Sequence, residues 1–505
     1  LPDAAPLSHD YPALFPVARG LRRAFHFYLG PTNSGKTFHA LQVLQQASSG
    51  VYLAPLRLLA MEIRDRLMEA GVPCNLVTGE ERIIIPGAKH TASTVEMMHP
   101  AREVEMAVID EIQMLQDPDR GSAWTAALIG VPARHVYVCG SDAVTHLCTS
   151  ALEAMSESYD ITYLERKTPL LIEESAVCGY QYNRWRLKGK LQKGDAVIAF
   201  SRKDVLTLAA RIRQWGMTVA TIYGALSPEV RRTEAKRFAA GEADVLVATD
   251  AIGMGLNLPI RRVVFSTTYK FDGVASRLIG PTETRQIAGR AGRYGIYPTG
   301  YVTAFEDDEV LHLQHMLTTS DATLLEQLPV APAWREIQGL SETLHHARLG
   351  ELLERACQRY RDVDGLFNVA GMNIQIAIAH LLDQHAQRLS LKDKFTFSCA
   401  PVSLDVRHDV DYFLACVTAV LSGHPKYLPS PPSWLAHHGA EYLEQAEVLS
   451  RDISLYAWLS YKFPKTFVDG VSVPLLRQAV SRYIEQALLV QPGYGETGRE
   501  LYQSG

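Results

Sequence analysis

Gly30-Pro31-Thr32-Asn33-Ser34-Gly35-Lys36-Thr37 fits the spacing G-x-x-x-x-G-K-[ST]. An apolar, β-rich run, 25–29, precedes it, and a segment of helical period, 36–46, follows. That context turns a glycine-rich turn into a phosphate cradle: backbone N–H groups close on phosphate oxygens at the positive end of the following helix. Lys36 is placed to reach the β- and γ-phosphates, and the Thr37 hydroxyl to ligate Mg²⁺. A chain built on this loop has to carry a parallel α/β sheet around it.

The remaining pattern agrees. Short apolar runs at 51–54, 106–110, 135–139, 196–200, 218–222, 245–248 and 262–266 predict further strands. Helical segments at 56–70, 203–214 and 228–239 lie between them. Strand–helix alternation with apolar strands predicts parallel sheets covered on both faces. With 505 residues, about three domains of ~150 residues fit, so one sheet is not expected to take every strand. A break at 165–191, marked by Arg166, Lys167, Arg184, Arg186, Lys188 and Lys190, separates two α/β units. We therefore expect an N-terminal segment 1–23, α/β domains 24–165 and 166–320, a helical domain 321–490 and a loose tail 491–505.

In the third region Leu476, Val480, Tyr483 and Ala487 form one helical stripe, with Pro474 tolerated in the first turn. Residues 449–463 are apolar nearly all round, which predicts a buried helix. The four prolines of 425–433 predict an extended connector.

Composition excludes several classes. With 47% apolar and 21% charged residues the chain suits a folded globular enzyme, and no apolar run is long enough for a membrane span. Its seven cysteines form no C-x-x-C pair, which speaks for a reducing compartment and against a disulfide frame or zinc site. The adjacent pairs His345–His346 and His437–His438 diverge on a helix and read as surface or capping residues. The whole net charge of −5 lies beyond residue 320, so a polyanion would have to be bound by local patches in the first two thirds.

A second acidic motif completes a nucleotide site. Met106-Ala107-Val108-Ile109-Asp110-Glu111-Ile112-Gln113 is an apolar strand ending in adjacent acids. Asp110 can hold Mg²⁺ through its water shell, and Glu111 can orient the attacking water or take its proton. Further on, Gln286-Ile287-Ala288-Gly289-Arg290-Ala291-Gly292-Arg293 shows two arginines three apart, on one face of a helix. Such a pair can steady the charge of a transferring phosphoryl group; taken alone, a solvated basic face is the better reading.

The ordered series reverses that preference. GPTNSGKT, APLRLLA (54–60), VTGEER (77–82), STVEM (93–97), DEIQ (110–113), CGSDA (139–143), FSRKD (200–204), VATDAIGMGLNL (247–258) and QIAGRAGR (286–293) together resemble a superfamily-two DExH/D-type helicase. More narrowly, the chain is similar to the RNA helicase of the mitochondrial degradosome and its bacterial relatives. FTFSCAPV (395–402) and SLYAWLSYKFP (454–464) extend the likeness into the C-terminal region, so it covers about residues 24–490.

The resemblance implies two tandem RecA-like domains with ATP and Mg²⁺ between them and a helical C-terminal region. It implies ATP-driven, 3′-to-5′ unwinding with RNA as substrate. Carried over by motif, Gly30 to Thr37 and, from the second domain, Gly255 and Asn257 hold the nucleotide. Thr37 and Asp110 serve the metal, and Lys36, Asp110, Glu111, Gln286, Arg290 and Arg293 serve hydrolysis. Arg57, Thr94, Ser201 and Thr249 face the nucleic-acid backbone, and Ser141 couples nucleotide state to strand contacts. Family members commonly carry a further N-terminal domain, and mitochondrial members associate with polynucleotide phosphorylase, although no tail motif here supports such an exoribonuclease partner.

Three readings follow: an ATP-dependent RNA helicase, which is favoured; a DNA-directed translocase on the same scaffold; and an ATP-gated RNA clamp that does not unwind processively. The basic and aromatic stretch 181–190 can contact phosphates or stack on bases, but a solvated linker is preferred. Trp458 and Tyr461 are expected in the core. No feature indicates a membrane, and the bacterial cytoplasm is preferred over the mitochondrial matrix.

Overall fold

A computed structural model describes residues 11–178, 187–253, 258–271, 275–319, 325–345, 348–361, 365–369, 372–437 and 439–490. The first lobe is an eight-stranded sheet of β1 (Ala24–Leu29), β2 (Gly50–Ala54), β3 (Cys74–Val77), β4 (Arg82–Ile83), β5 (His90–Thr94), β6 (Val104–Ile109), β7 (Ala133–Gly140) and β8 (Ser158–Tyr163). Its order is β4-β3-β5-β2-β6-β7-β1-β8, parallel throughout except for the β3–β4 pair. Helices α1 (Pro16–Arg19), α2 (Lys36–Gln46), α3 (Arg57–Glu69), α4 (Gly121–Gly130) and α5 (Thr145–Ala154) flank it.

The second lobe is a six-stranded parallel sheet with the order β11-β12-β10-β13-β16-β9. Its strands are β9 (Leu170–Ile172), β10 (Asp195–Ile198), β11 (Val219–Ile222), β12 (Val245–Ala248), β13 (Arg262–Phe265) and β16 (Gly300–Ala304). A hairpin of β14 (Tyr269–Phe271) and β15 (Ser276–Leu278) stands apart. Helices α6 (Arg202–Gln214), α7 (Pro228–Ala239), α8 (Pro281–Ala288) and α9 (Asp307–Thr318) belong to this lobe. Local chemistry sets two of the starts: Ser201 and Ser227 each accept a backbone N–H from three residues on, and Pro228 occupies the first helical turn of α7.

Every predicted strand and helix of the two lobes is present, with ends moved by a few residues. Several strands carry too little apolar signal to read from sequence. β5, His-Thr-Ala-Ser-Thr, lies inside the sheet, where Asn75 and Arg102 donate to the Thr91 hydroxyl at 3.4 and 3.2 Å. β8 is an exposed edge strand, polar for the same reason that edges usually are.

Beyond residue 320 the chain is helical, with α10 (Trp334–Leu344), α11 (Leu349–Arg361), α12 (Asn373–His385), α13 (Leu391–Ser398), α14 (Arg407–Ser422), α15 (Leu443–Lys462) and α16 (Val473–Val490). One parallel pair, β17 (Leu328–Val330) with β18 (Phe367–Val369), is an addition to the all-helical expectation. The predicted stripe Leu476, Val480, Tyr483 and Ala487 is buried on α16, and α15 is the buried helix expected around 449–463. His345 caps α10 at φ 49°; its neighbour His346, like His438, the tail 491–505 and the stretch 181–186, lies outside the described residues. Trp458 is buried, whereas Tyr461 is a correction: it stands 42% exposed, with the Arg82 guanidinium 5.2 Å from its ring centre.

This region does not bury its apolar side chains by itself. Leu328, Ile337, Leu349 and Leu353 join the core of the first lobe around Phe27, Trp124 and Leu128. Phe397, Phe413, Tyr456 and Ile484 join that of the second lobe around Val197 and Val247. α12 contributes to both, Ala379 to the first and Ile378 and Leu382 to the second. Polar contacts reinforce the seams: Tyr223 Oη donates to Glu447 Oε1 at 2.6 Å, and Arg202 pairs with Glu447 at 2.7 Å.

Under the second sheet Asp195, fully buried, accepts from Arg261 and Arg262 at 2.6 Å each. Removing one side of such a cluster strands charge in the interior, a cost of about 3–5 kcal/mol. Asp195→Ala should therefore lower the denaturant midpoint of the second lobe; an unchanged midpoint in a urea titration would contradict this account.

Candidate active site between two lobes

The phosphate loop runs from the end of β1 into α2. Gly30 approaches the chain so closely that a Cβ would overlap the Leu164 carbonyl oxygen. Lys36 Nζ donates to the carbonyls of Gly30 and Pro31, both at 2.7 Å. Burial pulls the pKa of that ammonium down, and Glu111 and Asp110 oppose the shift.

β6 stops at Ile109, so Asp110 is the first residue past the strand, at the carboxyl end of the sheet where ligands of open α/β sheets bind. Its carboxylate is held from several sides. Tyr52 Oη donates to Oδ2, the Glu111 N–H donates to Oδ1 at 3.0 Å, and Thr37 Oγ1 stands 3.5 Å from Oδ2. Burial, and then the charge of Glu111, push the Asp110 carboxyl up to about 6, against the Tyr52 bond. A hydroxyl and a carboxylate converging in this way form the all-oxygen donor set that suits Mg²⁺.

Glu111 sits at φ 54° and Asn33 at φ 64°. Left-handed backbone at residues other than glycine is uncommon, and such strain gathers at functional sites. Gln113 Nε2 donates to Glu111 Oε2, and Gln113 Oε1 accepts the Ser141 N–H at 3.0 Å. The motif Asp-Glu-Ile-Gln thus links Glu111 to the Cys-Gly-Ser-Asp-Ala segment through one amide. The motif alone gives Gln113 no task, and Tyr52 resembles any buried strand tyrosine until its partner is seen.

The second lobe meets this loop directly. Asn33 Nδ2 donates to the carbonyls of Gly289 and Gly292 at 3.2 and 2.6 Å. Arg290 is half-buried and donates to the Gly253 carbonyl, Nε at 3.1 Å. Burial lowers its pKa, while Glu111 and Asp110 from across the cleft raise it. Arg293 is lowered by burial and then by Arg66, with Glu62 opposing. Gln286 lies on α8, its Cβ beside Gly253. Gly255 and Asn257 lie outside the described residues.

The four residues expected to face a nucleic-acid backbone lie at or just past carboxyl ends of strands: Arg57 after β2, Thr94 at the end of β5, Ser201 after β10 and Thr249 after β12. Ser201 is exposed, whereas Thr249 is buried, its hydroxyl accepting the Ala251 N–H at 3.3 Å. Arg57 is engaged by Glu80 at 2.7 Å, Glu81 at 3.3 Å and, from the second lobe, Glu229 at 2.6 Å. Burial works against its charge, but these carboxylates together hold its pKa above the ordinary value. Arg477 of α16 shares Glu80 at 2.9 Å, so one cluster joins both lobes to the C-terminal region.

Arg290 and Arg293 do not share a helix face as expected: α8 ends at Ala288, Gly292 turns the chain at φ 75°, and Arg293 pairs with Tyr297 in a short bridge. Two parallel-sheet lobes with a phosphate loop and acidic pair on one and this arginine segment on the other define a two-domain P-loop helicase core. Comparison with known proteins makes the class specific. Residues 12–164 match the DEXQ-box helicase domain of Suv3, and 183–295 match the helicase conserved C-terminal domain. Residues 377–420 match Suv3 C-terminal domain 1, and 443–489 match the ATP-dependent RNA helicase SUV3 C-terminal domain. The mitochondrial ATP-dependent RNA helicase SUV3 of Oryza sativa subsp. japonica is 35% identical, over 99% of this chain and 85% of that protein. Its namesake in Saccharomyces cerevisiae is 36% identical, over 92% of this chain and 64% of the yeast protein. The chain belongs to the SUV3 family of DExH-box ATP-dependent RNA helicases. Among the described residues no helix is long and apolar enough to cross a membrane.

Proposed function

We propose that the chain hydrolyses ATP in the interlobe cleft and uses the resulting closure and opening to move 3′-to-5′ along RNA and separate duplexes, in RNA degradation or surveillance. The observation that carries this reading is the seating of the Gly289–Gly292 segment, which includes Arg290, on Asn33 of the phosphate loop. One triphosphate in that place would touch both lobes, so its cleavage changes what holds them together. A ligand shifts a conformational equilibrium only by its differential affinity for the two forms, and a site split between lobes supplies that difference.

Within this reading Gly30 to Thr37 bind the phosphates, and Lys36 compensates their charge. Thr37 and Asp110 would hold Mg²⁺, which when bound neutralises charge developing on the phosphoryl oxygens. Glu111 accepts the proton of the attacking water, kept in position by Gln113. Arg290 and Arg293 stabilise the transferring group, with Gln286 beside them. Arg57, Thr94, Ser201 and Thr249 form the strand-facing set; for Arg57, a phosphate would replace carboxylates it already holds. Gly255 and Asn257 complete the nucleotide site by motif alone.

The names of the relatives, RNA helicases called mitochondrial, speak for RNA as the strand and for the mitochondrial alternative over the bacterial cytoplasm. An exoribonuclease such as polynucleotide phosphorylase is the partner this role would need. The test is strand displacement on RNA and DNA duplexes with 3′ or 5′ overhangs, with Lys36→Ala as control. ATP-dependent release from the 3′-tailed RNA duplex alone is expected. Equal release from 5′-tailed duplexes would overturn the polarity, and preference for DNA the substrate.

A further inference from the structure

The connection between the lobes is more than a tether. Residues 164–169 run between the phosphate loop and the arginine segment: Leu164 N–H donates to Leu29 at 2.7 Å, Lys167 N–H to Asn33 at 3.2 Å, and Gly300 N–H to Pro169 at 2.9 Å. Arg166 stands at the centre of this run. Its Nη1 donates to the Thr32 carbonyl at 3.0 Å and to the Gly289 carbonyl at 2.9 Å. Its Nη2 donates to the Ala291 carbonyl, and Nε to Thr168 at 2.6 Å. All four acceptors are backbone carbonyls.

Gly289 and Ala291 are the residues on either side of Arg290. One guanidinium therefore grips the backbone before and after Arg290, and with the same nitrogen reaches the phosphate loop of the other lobe. Those carbonyls follow the last turn of α8, where the negative end of the helix favours a cation. Burial pushes the Arg166 guanidinium down to about 10, which leaves it charged at neutral pH. A flat, five-donor fork can satisfy several carbonyls in fixed directions; an ammonium on a flexible stem cannot reproduce that set.

We propose that Arg166 is a positioning residue for hydrolysis, fixing the backbone on both sides of Arg290 against Thr32 of the phosphate loop when the lobes are closed. It acts through Arg290 and touches no substrate. The assignment rests on ATP being hydrolysed in the interlobe cleft, and it needs no strand movement, so hydrolysis is the readout and displacement is not.

The full chain carrying Arg166→Gln is compared with wild type for steady-state ATP hydrolysis on saturating RNA, for affinity for a fluorescent ATP analogue, and for thermal unfolding. Misplacement of a reacting group by about 1 Å costs about a hundredfold in rate, so kcat should fall about ten- to a hundredfold. KM and analogue affinity should stay close to wild type, because the phosphate loop loses one donor, at the Thr32 carbonyl, while Lys36 keeps its bonds within the loop. Arg166→Lys should recover part of the loss, and serves the same comparison if Arg166→Gln does not fold. The decisive arm is the double variant with Arg290→Ala, read by single-turnover hydrolysis: residues acting through one another give losses that do not multiply. An active wild type with unchanged kcat in Arg166→Gln, an equal loss of affinity and kcat, or multiplied losses in the double variant would overturn the assignment alone. An inactive wild type would overturn the reading beneath it as well.

Discussion

Arg290→Ala should reduce ATP turnover about 10³-fold or more while leaving nucleotide affinity within a few-fold of wild type. An arginine supplied to a transferring phosphoryl group is worth about 10³ to 10⁵ in rate, and 10³ corresponds to about 4 kcal/mol of transition-state stabilisation. The geometry explains why the loss should fall on kcat. On the proposed site the β- and γ-phosphates would be bound by the phosphate loop and Lys36 of the first lobe, which the substitution leaves in place. Arg290 comes from the second lobe, where the charges of Glu111 and Asp110 favour its guanidinium across the cleft, and the Asn33–Gly289 bond helps to hold the lobes together. Single-turnover hydrolysis beside equilibrium binding of a fluorescent ATP analogue separates the two quantities. Loss of both in proportion would mean that Arg290 holds the ground state, and the division of labour between lobes would be wrong.

The parts of this site that were legible in sequence are those whose chemistry is local. The phosphate loop needs consecutive residues, so its spacing announces it; an apolar strand followed by Asp110-Glu111 does the same for the metal and water side. What joins them was not legible, because it depends on distances across the chain. Tyr52 and Asp110 are 58 residues apart, and Arg166 and Gly289 are 123 apart. Nothing in a strand tyrosine or a linker arginine marks these partners beforehand. The C-terminal helices illustrate the same limit at larger scale. Their amphipathic stripes predict helices correctly, but periodicity names only the face that is buried and not what buries it. Here the answer is the cores of both lobes, with α12 shared between them. The motif of Arg57 points to a strand contact, and only the fold reveals that three glutamates from two lobes already surround it.

Glu111→Gln should give the converse of an inert enzyme: hydrolysis reduced about 10²- to 10⁴-fold, the range for loss of a positioned base, with ATP and RNA still bound. The amide matches the carboxylate in shape, so the φ of 54° and the neighbouring Gln113 need not change. It cannot take a proton from water. Removing the Glu111 charge also relieves its repulsion of Asp110, one of the two causes that raise the Asp110 carboxyl to about 6. The metal-side carboxylate should therefore be ionised at least as fully as before, which favours retention of nucleotide. With cleavage blocked and both lobes still gripping the triphosphate, the closed form should persist and the strand should dissociate more slowly in ATP than in ADP. Stopped-flow release of a labelled RNA strand from Glu111→Gln measures this directly. Equal release rates in the two nucleotides would show that closure of the cleft does not govern the grip on the strand, and the coupling at the centre of the proposed motor would fail.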